Sequence, residues 1–187
     1  MRAVTAFVRE HLGDVRHERR VVQLASKLFT VTFPWHHLGP DDAAALKLGV
    51  MLHDVGRAKD DARHPEIGAR MVRKASHLPL SARERRLAAY LARFHRGAVP
   101  REGLDDTLRK GEYRRAVMLL ALLRAADTLD SRSAGPARVE IRQVGAGVTV
   151  TITPVYDTPR ARKALGRRKK FRLLQELTGC EIRIRFA

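Results

Sequence analysis

The feature that most constrains this chain is the run AVMLLALLRAAD at residues 116–127, apolar on nearly every side yet carrying Arg124 and Asp127. A helix that is hydrophobic all round has to be enclosed by other elements, so the fold expected is mainly α, packed around this segment. Val117, Leu120, Arg124 and Asp127 share one stripe. A guanidinium and a carboxylate are therefore carried into apolar surroundings, where unpaired charge is expensive.

Other segments supply the enclosing helices. From Asp14 to about Thr30, Val21, Ala25, Leu28 and Phe29 recur at helical spacing, with His17 one turn before Val21. A second helix starts after Gly39-Pro40, with Asp41 or Asp42 as its cap and Leu46 and Val50 facing inward. It ends at His53-Asp54, where Gly56 lets the chain turn. His64-Pro65 opens a third helix, in which Ile67, Met71 and Ala75 repeat. Ser81 and Glu84 form a capping box for a fourth, which carries Leu87, Leu91 and Phe94 to His95 and stops at Gly97. His36-His37 beside Trp35 reads as a surface turn packed by the tryptophan, and His11 and His77 show no partner pattern.

Beyond Gly135-Pro136 the period changes. ARVEIRQV and VTVTITPV flank Gly145–Gly147 as a β-hairpin, a helix is expected from about Pro159 to Leu177, and EIRIRF alternates as a final strand. The expected organisation is a helical domain over residues 1–135 and a small β-β-α-β subdomain over 136–187. The final strand could pair across a homodimer.

Composition narrows the chemistry. No stretch of 18 or more apolar residues is present, and charged residues interrupt the N-terminal apolar run, so neither a membrane span nor a secretory signal is expected and a cytoplasmic location follows. With one cysteine, Cys180, metal ligands have to be histidine and carboxylate. Lys+Arg 37 against Asp+Glu 20 gives a net charge of +17, a field that attracts polyanions unless it is only a solvated arginine-rich surface. The acid-free basic stretch from Arg160 to Arg172 could bind polyphosphate or nucleic-acid phosphates, but no aromatic residues interleave with it as base-stacking platforms.

His17, His53, Asp54, His64, His95 and Asp127 lie at helix ends or on apolar faces, where coordination of a divalent ion would remove the penalty of burying them. The leading His, the pair in LHDVGR and the distant Asp in LLRAADTLD resemble the HD phosphohydrolase superfamily over about residues 14–131. That resemblance implies an HD-type helical bundle in which His17, His53, Asp54 and Asp127 hold one metal. HPEIGARMV and ARFHRGAVP are similar to the subgroup that holds a second ion, which adds His64 and His95. Across nearly the whole chain, through ARFHRGAVP, LLRAADTLDSR and the strand-helix-strand tail, the sequence resembles the C-terminal portion of the exopolyphosphatase and guanosine pentaphosphate phosphohydrolase family, here as a stand-alone domain. In that family catalytic actin-like domains precede this portion, and their Gly-rich phosphate loops have no counterpart here. The resemblance therefore implies a fold and a site for phosphorylated anions.

The function expected is a metal-dependent phosphohydrolase or phosphodiesterase acting on a nucleotide, polyphosphate or another phosphorylated small molecule, with one or two Mn, Fe, Co, Ni or Mg ions. Asp54, Arg57 and Arg124 are its catalytic candidates, and Lys59 and Arg96 its substrate-phosphate contacts. Arg124 would meet either a phosphate or an internal carboxylate, and two-metal relatives often carry Lys at the position of Arg57. The alternative is a non-catalytic regulatory module that binds polyphosphate or nucleic acid. Stoichiometric metal would favour the enzyme.

Overall fold

The computed structural model describes residues 1–132 and 134–187. In chain order its elements are α1 (Arg2–Leu12), α2 (Arg16–Val31), α3 (Phe33–His36), α4 (Pro40–Leu52), α5 (His64–Lys74), α6 (Ala82–Phe94), α7 (Tyr113–Leu129), β1 (Ala137–Val144), β2 (Gly147–Pro154), α8 (Pro159–Leu165), α9 (Arg172–Thr178) and β3 (Glu181–Phe186). Short 3₁₀ turns occupy Val55–Ala58 and Arg168–Lys170. The class is mainly α with a small C-terminal sheet, as the hydrophobic periodicity implies.

α7 is the buried centre. From Ala116 to Leu129 every residue is buried except Arg124 and Asp127, the two polar residues that break its apolar run. α2, α4 and α6 pack around it. α4 is more enclosed than its Leu46 and Val50 stripe suggests, because Leu46 and Val50 join the main apolar core while Leu48, Met51 and Leu52 join a second cluster with α1 and α5. A residue larger than glycine at position 49 would force the Leu91 side chain to shift, since an added Cβ would stand 2.2 Å from a Leu91 methyl where α4 crosses α6. Neither Asp41 nor Asp42 caps α4 as expected. Gly39 is the cap residue, and Asp42, three positions on, accepts from its N–H at 3.2 Å while binding Arg83 and Arg115, each at 2.6 Å. The Ser81–Glu84 capping box of α6 is present. The segment around Trp35 is a short helix, α3, whose His36 Nε2 bonds the carbonyl of Phe29 at 2.9 Å.

The sheet has the order β1-β2-β3. β1 and β2 are antiparallel, with Val144 opposite Gly147, and β2 and β3 are parallel, with Gly147 opposite Glu181. Val148, Val150 and Ile152 point inward, and the same apolar core takes in Ile141, Leu165, Phe171 and Ile182. The helix expected over Pro159–Leu177 is broken. α8 ends at Gly166, a 3₁₀ turn follows, and α9 begins at Arg172. On a straight helix Leu165 and Phe171 would point about 120° apart. The break lets both enter one core, where they are 0% and 1% exposed.

Candidate metal centre

Five segments deliver the site. His17 lies in the first turn of α2, His53 and Asp54 follow the end of α4, His64 opens α5, His95 follows the end of α6, and Asp127 is in the last turn of α7. Gly56 has a different role from the turn residue expected. Its φ is not positive, but a Cβ there would stand 2.2 Å from the His64 carbonyl oxygen and 2.5 Å from the Gly68 nitrogen. Only glycine lets the turn after Asp54 rest on the start of α5, and that contact carries Asp54 to His64.

The four imidazoles are held the same way. Nδ1 of His53, His64 and His95 donates to the carbonyls of Val50 (2.7 Å), Asp61 (2.6 Å) and Ala92 (2.8 Å). Nδ1 of His17 donates to Asp130 Oδ2 at 2.8 Å, and the other oxygen of Asp130 is held by Arg20 at 2.6 Å. Carbonyls and carboxylates only accept, so the proton of each ring sits on Nδ1 and the four Nε2 atoms face one another. His17 Nε2 and His53 Nε2 stand 3.4 and 3.6 Å from Asp127 Oδ1. His64 Nε2 and His95 Nε2 stand 3.3 and 3.5 Å from Asp54 Oδ1.

Three overlapping candidate ligand groups result, His17–His53–Asp127, Asp54–His64–His95 and His17–Glu18–Asp54, with Asp54 also near His53. Three buried atoms at their junction, His17 Nε2, His53 Nε2 and Asp54 Oδ1, lack a hydrogen-bond partner among the described residues. Nε2 of His64 and Nε2 of His95 meet at 3.0 Å, two lone pairs in contact unless a proton or a cation lies between them. Metal–imidazole bonds of about 2.1 Å put two nitrogens on adjacent positions of one ion at about this separation. The donor set suits a divalent ion: imidazole and carboxylate, buried, oriented from behind and otherwise unsatisfied.

The electrostatics carry the same signature. Burial alone would push the His53 imidazole down, but the carboxylates of Asp54 and Asp127 raise it to about 9. For His17 burial is again opposed, by Asp127 and Asp130, and the net direction is up. His95 moves down, with burial outweighing Asp54. Burial would raise Asp54 and Asp127, yet the surrounding histidines hold both far below the ordinary carboxylate range.

The nest opens into a cleft of about 460 Å³, which His17, Asp54 and Asp127 line at its floor. Arg57 donates to Asp54 Oδ2 at 2.7 Å and also pairs with Asp61. Arg132 bridges Glu18 at 2.6 Å and Asp54 Oδ2 at 3.2 Å. Arg96, Arg167 and Lys170 complete the cationic lining. Burial pushes the Lys170 ammonium down; Asp127 opposes that shift, and Arg124, Arg96 and Arg167 add to it.

The six ligand candidates thus come together, and Arg57 and Arg96 line the cleft beside them. Arg124 meets neither the phosphate site nor the carboxylate expected of it. Its guanidinium donates to the carbonyls of Phe94 and Gly97, so it pins the end of α6 that presents His95. Lys59 is exposed and outside the cleft lining. Sequence reasoning missed Glu18, Asp130 and Arg132. The spacing of Asp127 and Asp130, three residues apart, was a usable signal for one of them, whereas Arg132 lies past the helix end, where no periodicity applies.

No described helix is long and apolar enough to cross a membrane. No curated protein matches the chain. Residues 1–155 match the family described as Ppx/GppA phosphatase, domain III; that span holds all six ligand candidates and ends just after β2, leaving the basic turn and β3 beyond it. The chain belongs to the Ppx/GppA phosphatase domain III family.

Proposed function

We propose that this protein is a metal-dependent phosphohydrolase of the HD type, acting on a phosphate ester or anhydride. The observation that carries the reading is the convergence of four Nε2 atoms and two carboxylates in one buried nest, three of whose atoms have no partner among the described residues. A purely structural cluster would satisfy them. The order of His17, His53-Asp54 and Asp127 along the chain agrees with the HD arrangement, with His64 and His95 available for a second ion.

When bound, a divalent ion supplies Lewis acidity that makes water a competent nucleophile near neutral pH and offsets phosphoryl charge. The chain's own residues do the rest. Val50, Asp61, Ala92 and Asp130 fix the rings in the tautomer that exposes Nε2. Arg57 and Arg132 hold Asp54 Oδ2, which turns Oδ1 toward the imidazoles. Arg96, at the cleft wall, is free to meet a phosphoryl oxygen.

Elemental analysis of purified protein, with phosphate release from nucleotides and polyphosphate in added Mn²⁺, tests the reading. One or two metals per chain with turnover support it. Asp54→Ala should then remove metal and lower kcat/KM by about 10³-fold or more, the scale of losing several kcal/mol of charge stabilisation. Full activity in that variant would refute the site. The second reading, an anion-binding regulatory module without turnover, is favoured by the unpaired cations of the cleft. It predicts substoichiometric metal and no loss on chelation.

A further inference from the structure

We infer that the free edge of β3 is a docking site for an extended, acidic segment of a partner protein, which adds to the sheet as a further strand. The edge lies outside the metal cleft, so the site stands whether or not the nest hydrolyses phosphate.

β3 ends the sheet, and among the described residues only β2 pairs with it. The N–H of Ala187 donates to the Ile152 carbonyl at 3.0 Å, so the odd-numbered residues of β3 direct their backbone groups to β2. The backbone groups of Ile182, Ile184 and Phe186 point the other way, where no described residue bonds them. An unpaired edge of this kind is a template for another strand.

A groove of about 290 Å³ runs along the same edge, lined by every residue from Glu181 to Arg185. Successive side chains of a strand leave on opposite faces, so a cavity that touches each residue in turn borders the strand's edge, not one of its faces. Arg168, Phe171 and Gln175, from the basic 3₁₀ turn through α9, form the opposite wall. A segment seated between a sheet edge and a helix bonds the edge through its backbone and sets alternate side chains against the groove wall.

Charge selects the occupant. Arg183 is paired with Glu181 at 2.6 Å, whereas the exposed guanidinium groups of Arg168 and Arg185 have no ion pair among the described residues. The groove keeps a positive excess that carboxylates complement. A second copy of the chain fits worse. An antiparallel copy that pairs most of β3, with the apolar side chains on one face, places Arg183 opposite an arginine of that copy, and two chains of net charge +17 repel. Nucleic acid finds no stacking platform, because Phe171 is 1% exposed and no other aromatic residue lines the groove.

Fluorescence polarisation on the full chain tests this, with a labelled peptide of about ten residues, alternating glutamate and valine, as the probe. The peptide should bind, and its lysine counterpart should bind at least about tenfold more weakly. R168A/R185A should weaken the acidic peptide by about fivefold or more, whereas R160A/K163A, an equal loss of exposed charge on α8, should change it by less than about twofold. Equal losses in the two double variants would reduce the edge to a diffuse field and overturn the inference, as would no binding at about millimolar peptide. Backbone N-methylation separates strand addition from charge, since it removes donors from one side of the peptide and leaves its carboxylates in place. Methylation of one alternate set of residues should abolish binding while methylation of the other set leaves it; equal binding of the two forms would refute the added strand. In sedimentation the chain should be monomeric, and a dimer that the acidic peptide dissociates would give the edge to a second copy instead. A single-stranded oligonucleotide that binds more tightly than the peptide and loses as much in R168A/R185A would make the groove a nucleic-acid surface.

Discussion

The floor and the rim of the cleft handle charge in opposite ways. At the floor, every imidazole is oriented by an acceptor behind it, and Asp54 is surrounded by four histidines and two arginines. At the rim, Arg96, Arg167 and Lys170 converge with no countercharge bonded to them among the described residues. A floor built this way is preorganised for a cation that its own protons can imitate. A rim built this way attracts an anion, with Asp127 acting on Lys170 and solvent reaching Arg96 and Arg167.

The largest effect concerns protons standing in for metal at the floor. The folded state favours protonated His53, so that contribution is fully present below about pH 6.5 and is lost as the pH rises through about 9. His17 shifts in the same direction. His95, held low, acts oppositely: its contribution is present above the ordinary histidine range and is lost as the pH falls. Asp54 and Asp127, also held low, contribute above the ordinary carboxylate range and lose that contribution in acid. Chelator-treated protein should therefore lose a few kcal/mol of stability between pH 6.5 and 9, as followed by thermal melts. Added Mn²⁺ should suppress that fall, because a metal requires the neutral rings that alkali provides. Identical pH profiles with and without Mn²⁺ would mean that the floor is a structural ion-pair network.

Next comes the contact that assembles the floor. Gly56→Ala places a methyl 2.2 Å from the His64 carbonyl, and backbone cannot yield as a side chain can. The variant should lose about 2–3 kcal/mol in denaturant melts, the upper range for overpacking, and should bind Mn²⁺ more weakly than the wild type. A smaller loss is expected at Arg124, which holds the Phe94 and Gly97 carbonyls. Arg124→Met should cost about 1–2 kcal/mol by leaving those acceptors without a donor. It should also weaken metal at the His64–His95 end more than at the His17–His53 end, as outer-shell changes do. Unchanged stability in this variant would return Arg124 to the list of groups free to meet substrate.

What could be read from the sequence follows the same division. Periodicity identified α2, α4, α5, α6 and α7, and a helix that must be buried makes its polar residues Arg124 and Asp127 conspicuous, whereas the set His17, His53, Asp54 and Asp127 is what the resemblance to the HD phosphohydrolase superfamily implies. The rim was not legible in that way. Arg167 and Lys170 differ from Arg168 and Lys169 only through a break that tertiary packing of Leu165 and Phe171 imposes, and local propensity carries no sign of it. Arg124 was misread for a related reason. Burial of a guanidinium demands acceptors, but the sequence does not say that they are the carbonyls ending another helix. The role of Gly56 depends on the approach of α5, a contact between segments that no turn rule anticipates.

The smallest effect has the opposite sign and is the sharpest test of the rim. Lys170 is half-buried; burial and the guanidinium groups of Arg124, Arg96 and Arg167 disfavour its charge and Asp127 favours it, with a net downward shift. Lys170→Met keeps the length and apolar stem of the side chain while removing the ammonium. In the absence of anion it should therefore stabilise the fold, by about 0.5–1 kcal/mol, or roughly 2 °C in a melt of a domain this size. With tripolyphosphate at saturating concentration the order should reverse, because the wild type gains binding free energy that the variant lacks. Stability and ligand response moving in opposite directions would mark a residue kept for recognition at the expense of the fold. Loss of stability in both conditions would instead mean that Lys170 has a structural partner in the folded protein, and the contrast between floor and rim would fail at that residue.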